Sequence, residues 1–165
     1  MQTKEYPRRF FLKASLTGVA AVGVAALAIP ASAASKAQAQ KKVITRPGEP
    51  LTPASLFSPA TQLGNLLFLS GSGAQDPQTH HLVPGPIGNQ VKQCLENLKT
   101  VLETAGSSLD KVLKCTVFLA DIGDFQAMNA VYHTYFPANP PSRTTVAVKD
   151  LPGGSPVEIE CIAYV

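Results

Sequence analysis

The chain has 165 residues, with 14 Lys and Arg against 11 Asp and Glu, a formal charge of +3. That length holds one domain and an appendage, and about 130 residues suffice for one real core. The excess charge is not the domain's: Lys4, Arg8, Arg9 and Lys13 face only Glu5 within residues 1–33, leaving ten basic and ten acidic residues beyond. A formally neutral domain disfavours nucleic acid as an electrostatic partner.

The appendage has the three parts of a secretory signal. Arg8-Arg9-Phe10-Phe11-Leu12-Lys13 precedes an apolar stretch from Ala14 to Ile29, then Pro30 and the small triplet Ala31-Ser32-Ala33. The paired arginines resemble the twin-arginine export signature. The apolar stretch falls short of the roughly 20 residues a spanning helix wants. Export to the periplasm or beyond is therefore expected, with cleavage after Ala33 or Ala39 rather than a retained anchor, and no membrane association afterwards. Residues 34–50 read as a flexible lead and a first strand near Lys41–Thr45, stopped by Pro47-Gly48. The domain proper spans 51–165.

Leu51 to Ala60 is an irregular loop with a short strand. Gly64-Asn65 signals a hairpin turn, after which Leu66–Leu69 reads as a buried strand running into Ser70-Gly71-Ser72-Gly73. Glycines after a strand let a ligand approach the backbone closely. His80-His81 sits in a polar loop without ligand-spaced partners and reads as solvated. From Ile87 to Ala105 apolar residues recur at three- and four-residue steps, the mark of a helix, with Gly106 as its stop. Val112–Leu119 reads as a strand packed on both faces. A second helix follows Asp124, its candidate N-cap, with Phe125, Met128, Tyr132 and Tyr135 on the buried stripe and Asn129 at the flank.

The C-terminal stretch, Asn139–Val165, reads as two strands joined by a Pro/Gly turn. In the first, Thr144, Val146 and Val148 alternate with Arg143, Thr145 and Ala147. In the second, Val157, Ile159, Cys161, Ala163 and Val165 alternate with Glu158, Glu160, Ile162 and Tyr164. Arg143 follows Pro140 and Pro141 and is either a carboxylate anchor or a surface charge at a strand edge. Cys94, Cys115 and Cys161 lack metal spacing; they read as buried thiols, with one disulfide as the alternative.

These elements predict an α+β layer, a single sheet with two helices packed on one face. The other face, expected to carry Thr116, Phe118, Thr145, Ile162 and Tyr164, is too apolar for water and predicts association with other copies.

The motifs G-N-L-L-F-L-S-G, Q-C-L-E-N-L-K-T-V-L-E-T-A-G, K-C-T-V-F-L-A-D, D-F-Q-A-M-N-A-V-Y, N-P-P-S-R-T-T-V and V-E-I-E-C-I-A occur in that order. Together they make Leu51–Val165 similar to the RidA/YjgF-type reactive intermediate deaminase (Rid) family. The resemblance implies a chorismate-mutase-like fold and a homotrimer with sites at subunit interfaces. It also implies hydrolysis of 2-aminoacrylate and related enamine or imine acids to 2-oxo acids and ammonia, without metal or organic cofactor. Arg143 matches the family arginine for the substrate carboxylate, and Glu158 the glutamate that orients water or shuttles protons. Ser70 and Gly71 match the ligand-contacting loop. Thr145 matches a backbone donor position, and Asn129 the asparagine of the second helix. Phe57 falls on a tyrosine position and has no hydroxyl, and Ser72 replaces a glutamine; the loss of the tyrosine hydroxyl bears on substrate choice or rate. The alternative expectation is a trimeric small-carboxylate-binding or protein-interaction member without turnover.

Overall fold

The computed structural model describes residues 40–165. The export signal expected over residues 1–33, and the start of the lead that follows, lie outside the described residues. The described elements are β1 (Lys42–Ile44), β2 (Ala60–Leu63), β3 (Leu66–Gly73), α1 (Ile87–Thr104), β4 (Val112–Leu119), α2 (Phe125–Tyr135), β5 (Ser142–Ala147) and β6 (Val157–Tyr164). The strands form one sheet in the order β1-β2-β3-β6-β4-β5. All neighbours are antiparallel except β4 and β5, and α2 is the crossover that this parallel pair requires. Both helices cover the same face, the single-sheet, two-helix layer of the chorismate-mutase-like fold.

The two C-terminal strands are not neighbours, because β4 lies between them. The reason is apolar content. Val157, Ile159, Cys161 and Ala163 are all buried, so β6 gains most at the centre, paired on both sides. Four of the six residues of β5 are exposed and prolines precede it, which suits an edge. The long connection is fixed by Ser155, whose hydroxyl accepts from the Ala74 N–H at 3.1 Å and donates to the Val157 carbonyl at 2.7 Å.

The core lies between the helices and the sheet. Val91, Cys94, Leu95, Leu98, Val101 and Leu102 of α1 meet Leu67, Leu69, Ile159 and Cys161, while Met128 and Tyr132 of α2 close the other end. Each large apolar side chain removed from water here contributes about 1.5–3 kcal/mol. Helix α1 ends in a Schellman turn: Gly106 (φ +78°) donates to the Glu103 carbonyl at 3.0 Å, and Ser107 to Leu102 at 2.9 Å. Asp124 holds the N-cap position of α2 without a side-chain cap bond. Asp121 caps the turn before it instead, accepting from the Gly123 N–H at 2.8 Å.

Three expectations change. Thr145 does not lie on the uncovered face. It pairs with core-facing Val117, so it points toward the helix side, and Thr144 stands beside Thr116 instead. Ser70-Gly71-Ser72-Gly73 does not follow the strand but belongs to β3, as a bulge between Leu69 and Ser72 that leaves the ladder with β6 intact on either side. Leu66–Leu69 is not buried throughout: Leu67 and Leu69 are buried, while Leu66 and Phe68 face outward with Val146 and Tyr164 on the sheet's uncovered side. The three cysteines are buried free thiols. Cys115 and Cys161 stand opposite each other across β4 and β6, and burial pushes the Cys94 thiol up to about 12.

Candidate active site in two halves

Arg143 enters β5 after Pro140-Pro141, which fix the backbone and leave the edge strand extended. Its register partner is the core residue Cys115, so its side chain turns under α2 rather than out to water. There Nη2 donates to Asn129 Oδ1 at 2.7 Å, and Nη1 faces Met128 Sδ at 3.9 Å. The guanidinium carbon sits 4.5 Å from the Tyr132 ring centroid and 5.8 Å from that of Phe125. Among the described residues no carboxylate lies within ion-pair distance of it. The remaining donors border a cavity of about 440 Å³ lined by Asn129, Tyr132, His133, Phe136, Pro140 and Pro141. Thr145, two residues on along the same face, has a buried hydroxyl oxygen without a partner. A planar, permanently charged fork with uncommitted donors is suited to a carboxylate.

Glu158 lies on β6 and faces the uncovered side, with Gly73 and Phe118 as cross-strand partners. Its carboxylate occupies the space a side chain at Gly71 would need, since a methyl group placed there would overlap it. That is why the β3 bulge carries glycine. Burial, and then the neighbouring Glu160 charge, hold the Glu158 carboxyl above the usual carboxylate range. A cavity of about 300 Å³ joins Glu158 to Gly71, Ser72, Gly73, Gln75 and Asn97, with Phe57, Arg46 and His80 among its other lining residues. Ser70 does not line this cavity. Its hydroxyl donates to the Ser58 carbonyl at 2.8 Å and its N–H to Pro59 at 3.0 Å, tying down the segment next to Phe57. Asn97 holds the far end of β3 and the chain just beyond it, donating to the Gly73 carbonyl at 3.3 Å and the Gln75 carbonyl at 2.9 Å.

The expected residues thus fall into two groups. Arg143, Asn129 and Thr145 gather on the helix side, and Glu158, Gly71 and Phe57 share the other cavity, with Ser70 bracing it. Within one chain the groups do not meet. Glu158 stands opposite Phe118, whose partner on β5 is Val146, three residues beyond Arg143. Two strand spacings and three residue steps separate their backbones by roughly 14 Å, and the side chains leave opposite faces of the sheet. Sequence reasoning missed Tyr132 and Asn97 as site neighbours. The spacing of Phe125, Asn129 and Tyr132, four and then three residues, already places them on one helical face. Among the described residues no three His, Cys, Asp or Glu side chains gather closely enough to hold a metal ion, and no helix is long and apolar enough to cross a membrane.

Residues 48–165 match the family profile described as Endoribonuclease L-PSP. The chain belongs to this family, that of RidA and YjgF. Among its relatives is a RutC family protein of Pyrococcus horikoshii, 45% identical over 124 residues that cover 75% of this chain and 98% of the relative. A rat protein named 2-iminobutanoate/2-iminopropanoate deaminase is 43% identical over 65% of this chain and 78% of its own. The crystal structure of the YjgF gene product from E. coli superposes with a TM-score of 0.68 at 33% identity, covering 74% of this chain and 98% of that one. That of E. coli TdcF with bound serine gives 0.68 at 34%, over 75% and 98%. Deaminases of imino acids are thus named within the RidA family at substantial identity.

Proposed function

We propose that this RidA-family protein hydrolyses enamine or imine acids of the 2-aminoacrylate type to 2-oxo acids and ammonia, at sites assembled between copies of the chain as a homotrimer. The observation that carries this reading is Arg143: a half-buried guanidinium held by Asn129 and Tyr132, with donors directed to a cavity and no carboxylate beside it among the described residues. The E. coli relative with bound serine supports it, because serine offers the same small carboxylate. Glu158 supplies the other requirement. A proton moves from nitrogen to the terminal enamine carbon to give the imine, water adds across the C=N bond to give the carbinolamine, and the C–N bond breaks to release ammonia as the hydroxyl oxygen becomes that of the ketone. Glu158 orients that water and relays its two protons in turn to the nitrogen. The uncovered, half-apolar sheet face that bears Glu158, met by the β5 edge of another copy, would bring that copy's Arg143 toward it.

The test generates 2-aminoacrylate in place and follows pyruvate. The purified protein accelerates its formation and the Arg143→Ala variant loses that acceleration; equal rates in the two would end the proposal. The family's descriptive name points to RNA, but residues 34–165 carry ten charges of each sign, which offers phosphates no net attraction. A second reading, carboxylate binding without turnover, is favoured by two features of the Glu158 cavity. Phe57 lacks a hydroxyl and the Ser70 proton is already committed to Ser58. Saturable binding of 2-oxo acids that depends on Arg143, with no pyruvate formed from 2-aminoacrylate, would select it. The twin-arginine stretch at residues 8–13 adds the proposal that this chemistry is carried out after export, in the periplasm or outside the cell.

A further inference from the structure

An anchor for a carboxylate must be held as well as charged, because a misplacement of about 1 Å can cost 100-fold in rate. Arginine has four rotatable side-chain bonds and does not hold itself. At Arg143 one edge of the guanidinium is fixed by Asn129 Oδ1 at 2.7 Å. That bond and the weak contact of Nη1 with Met128 Sδ at 3.9 Å leave the plane free to tilt. What faces the plane is the Tyr132 ring, 4.5 Å from the guanidinium carbon, with Phe125 more distant at 5.8 Å.

Tyr132 is 5% exposed and packs on Phe136, ring centroids 4.7 Å apart, so the ring is held by its own neighbours. Its hydroxyl has no hydrogen-bond partner of good geometry. The part of the residue that meets Arg143 is therefore the ring face, whose negative quadrupole attracts a cation. Asn129 and Tyr132, three residues apart on α2, thus grip the edge and the plane of one guanidinium.

We propose that Tyr132 is a positioning residue for Arg143, setting the plane of the guanidinium through its ring face so that two parallel donors are presented to a substrate carboxylate. This rests on the carboxylate-anchor reading of Arg143 and adds the group that aims it. The hydroxyl takes no part.

The experiment replaces Tyr132 with phenylalanine and with phenylalanines carrying one, two and three ring fluorines, in the full chain. Size and packing are nearly kept while the negative ring face is progressively drained. Calorimetry with 2-oxobutanoate and the KM for 2-aminoacrylate are read together with kcat. Measured against Tyr132→Phe as the reference, the fluorinated series weakens Kd and KM by roughly tenfold from end to end, moving KM more than kcat. The same series in the Arg143→Ala background shows no trend. Constant or tightening Kd across the series, or an equal trend without Arg143, overturns the proposal. If Arg143→Ala itself leaves 2-oxobutanoate binding unchanged, the anchor reading has failed, a result distinguishable from failure of the Tyr132 role alone.

Discussion

The two halves of the site are built differently. Arg143 is backed by a helix: α2 supplies an oxygen for its edge and a ring for its plane, and the half-site is complete down to its free donors. Glu158 stands on an open sheet face, over a glycine bulge and beside the exposed Phe57, and its neighbour Glu160 repels it. One half is held at an edge and a face. The other holds its carboxyl above the usual carboxylate range on an open face. With the roles proposed above, the division separates recognition from proton handling and gives each half its own signature when altered.

The largest expected effect comes from the proton-handling half. Glu158→Gln should lower kcat for 2-aminoacrylate hydrolysis by about 100- to 10,000-fold while 2-oxobutanoate still binds. Loss of binding in that variant would merge the two halves into one. Arg143→Ala should do the reverse, weakening carboxylate binding by about 2–4 kcal/mol, read by calorimetry. Arg143→Lys should recover little of this, since an ammonium restores the charge without the fork. Gly71→Ala comes next: its methyl group displaces the Glu158 carboxylate, so kcat falls while carboxylate affinity holds. A wild-type kcat in Gly71→Ala would show that the carboxylate need not sit where it does.

The smallest effect is on stability. The folded-state pKa of Glu158 is raised, so this group favours the folded state at low pH and that contribution is lost as pH rises through the raised value. Glu158→Gln should therefore raise Tm relative to wild type near pH 7 and leave it unchanged near pH 3. A difference of the opposite sign would mean that a cation outweighs the burial and Glu160.

Much of this was legible in the residues. The three- and four-residue steps of α1, the alternation of β4 and β6, and the glycine stop at Gly106 report local geometry, and local geometry is what periodicity encodes. Strand order is not local. That β6 lies between β3 and β4 depends on which strand gains most from two neighbours, a comparison across the whole chain. Thr145 illustrates the same limit, because its parity with Arg143 was readable but the face to which Arg143 turns was decided by the docking of α2. The bulge at Ser70-Gly71 announced itself only as glycine. Its reason, the Glu158 carboxylate lying over it, comes from a residue more than eighty positions away.

The central claim is that the two halves of one site come from two copies of the chain, and mixing inactive variants tests it most directly. Arg143→Ala and Glu158→Gln proteins, each strongly impaired in deaminase activity, are unfolded together in equal amounts and refolded. If Arg143 of one copy serves Glu158 of the next around a closed ring, roughly a quarter of the sites regain both residues and a corresponding share of wild-type pyruvate formation returns. Activity that stays at the level of the separate variants, in assemblies shown to contain both chains, would contradict the account.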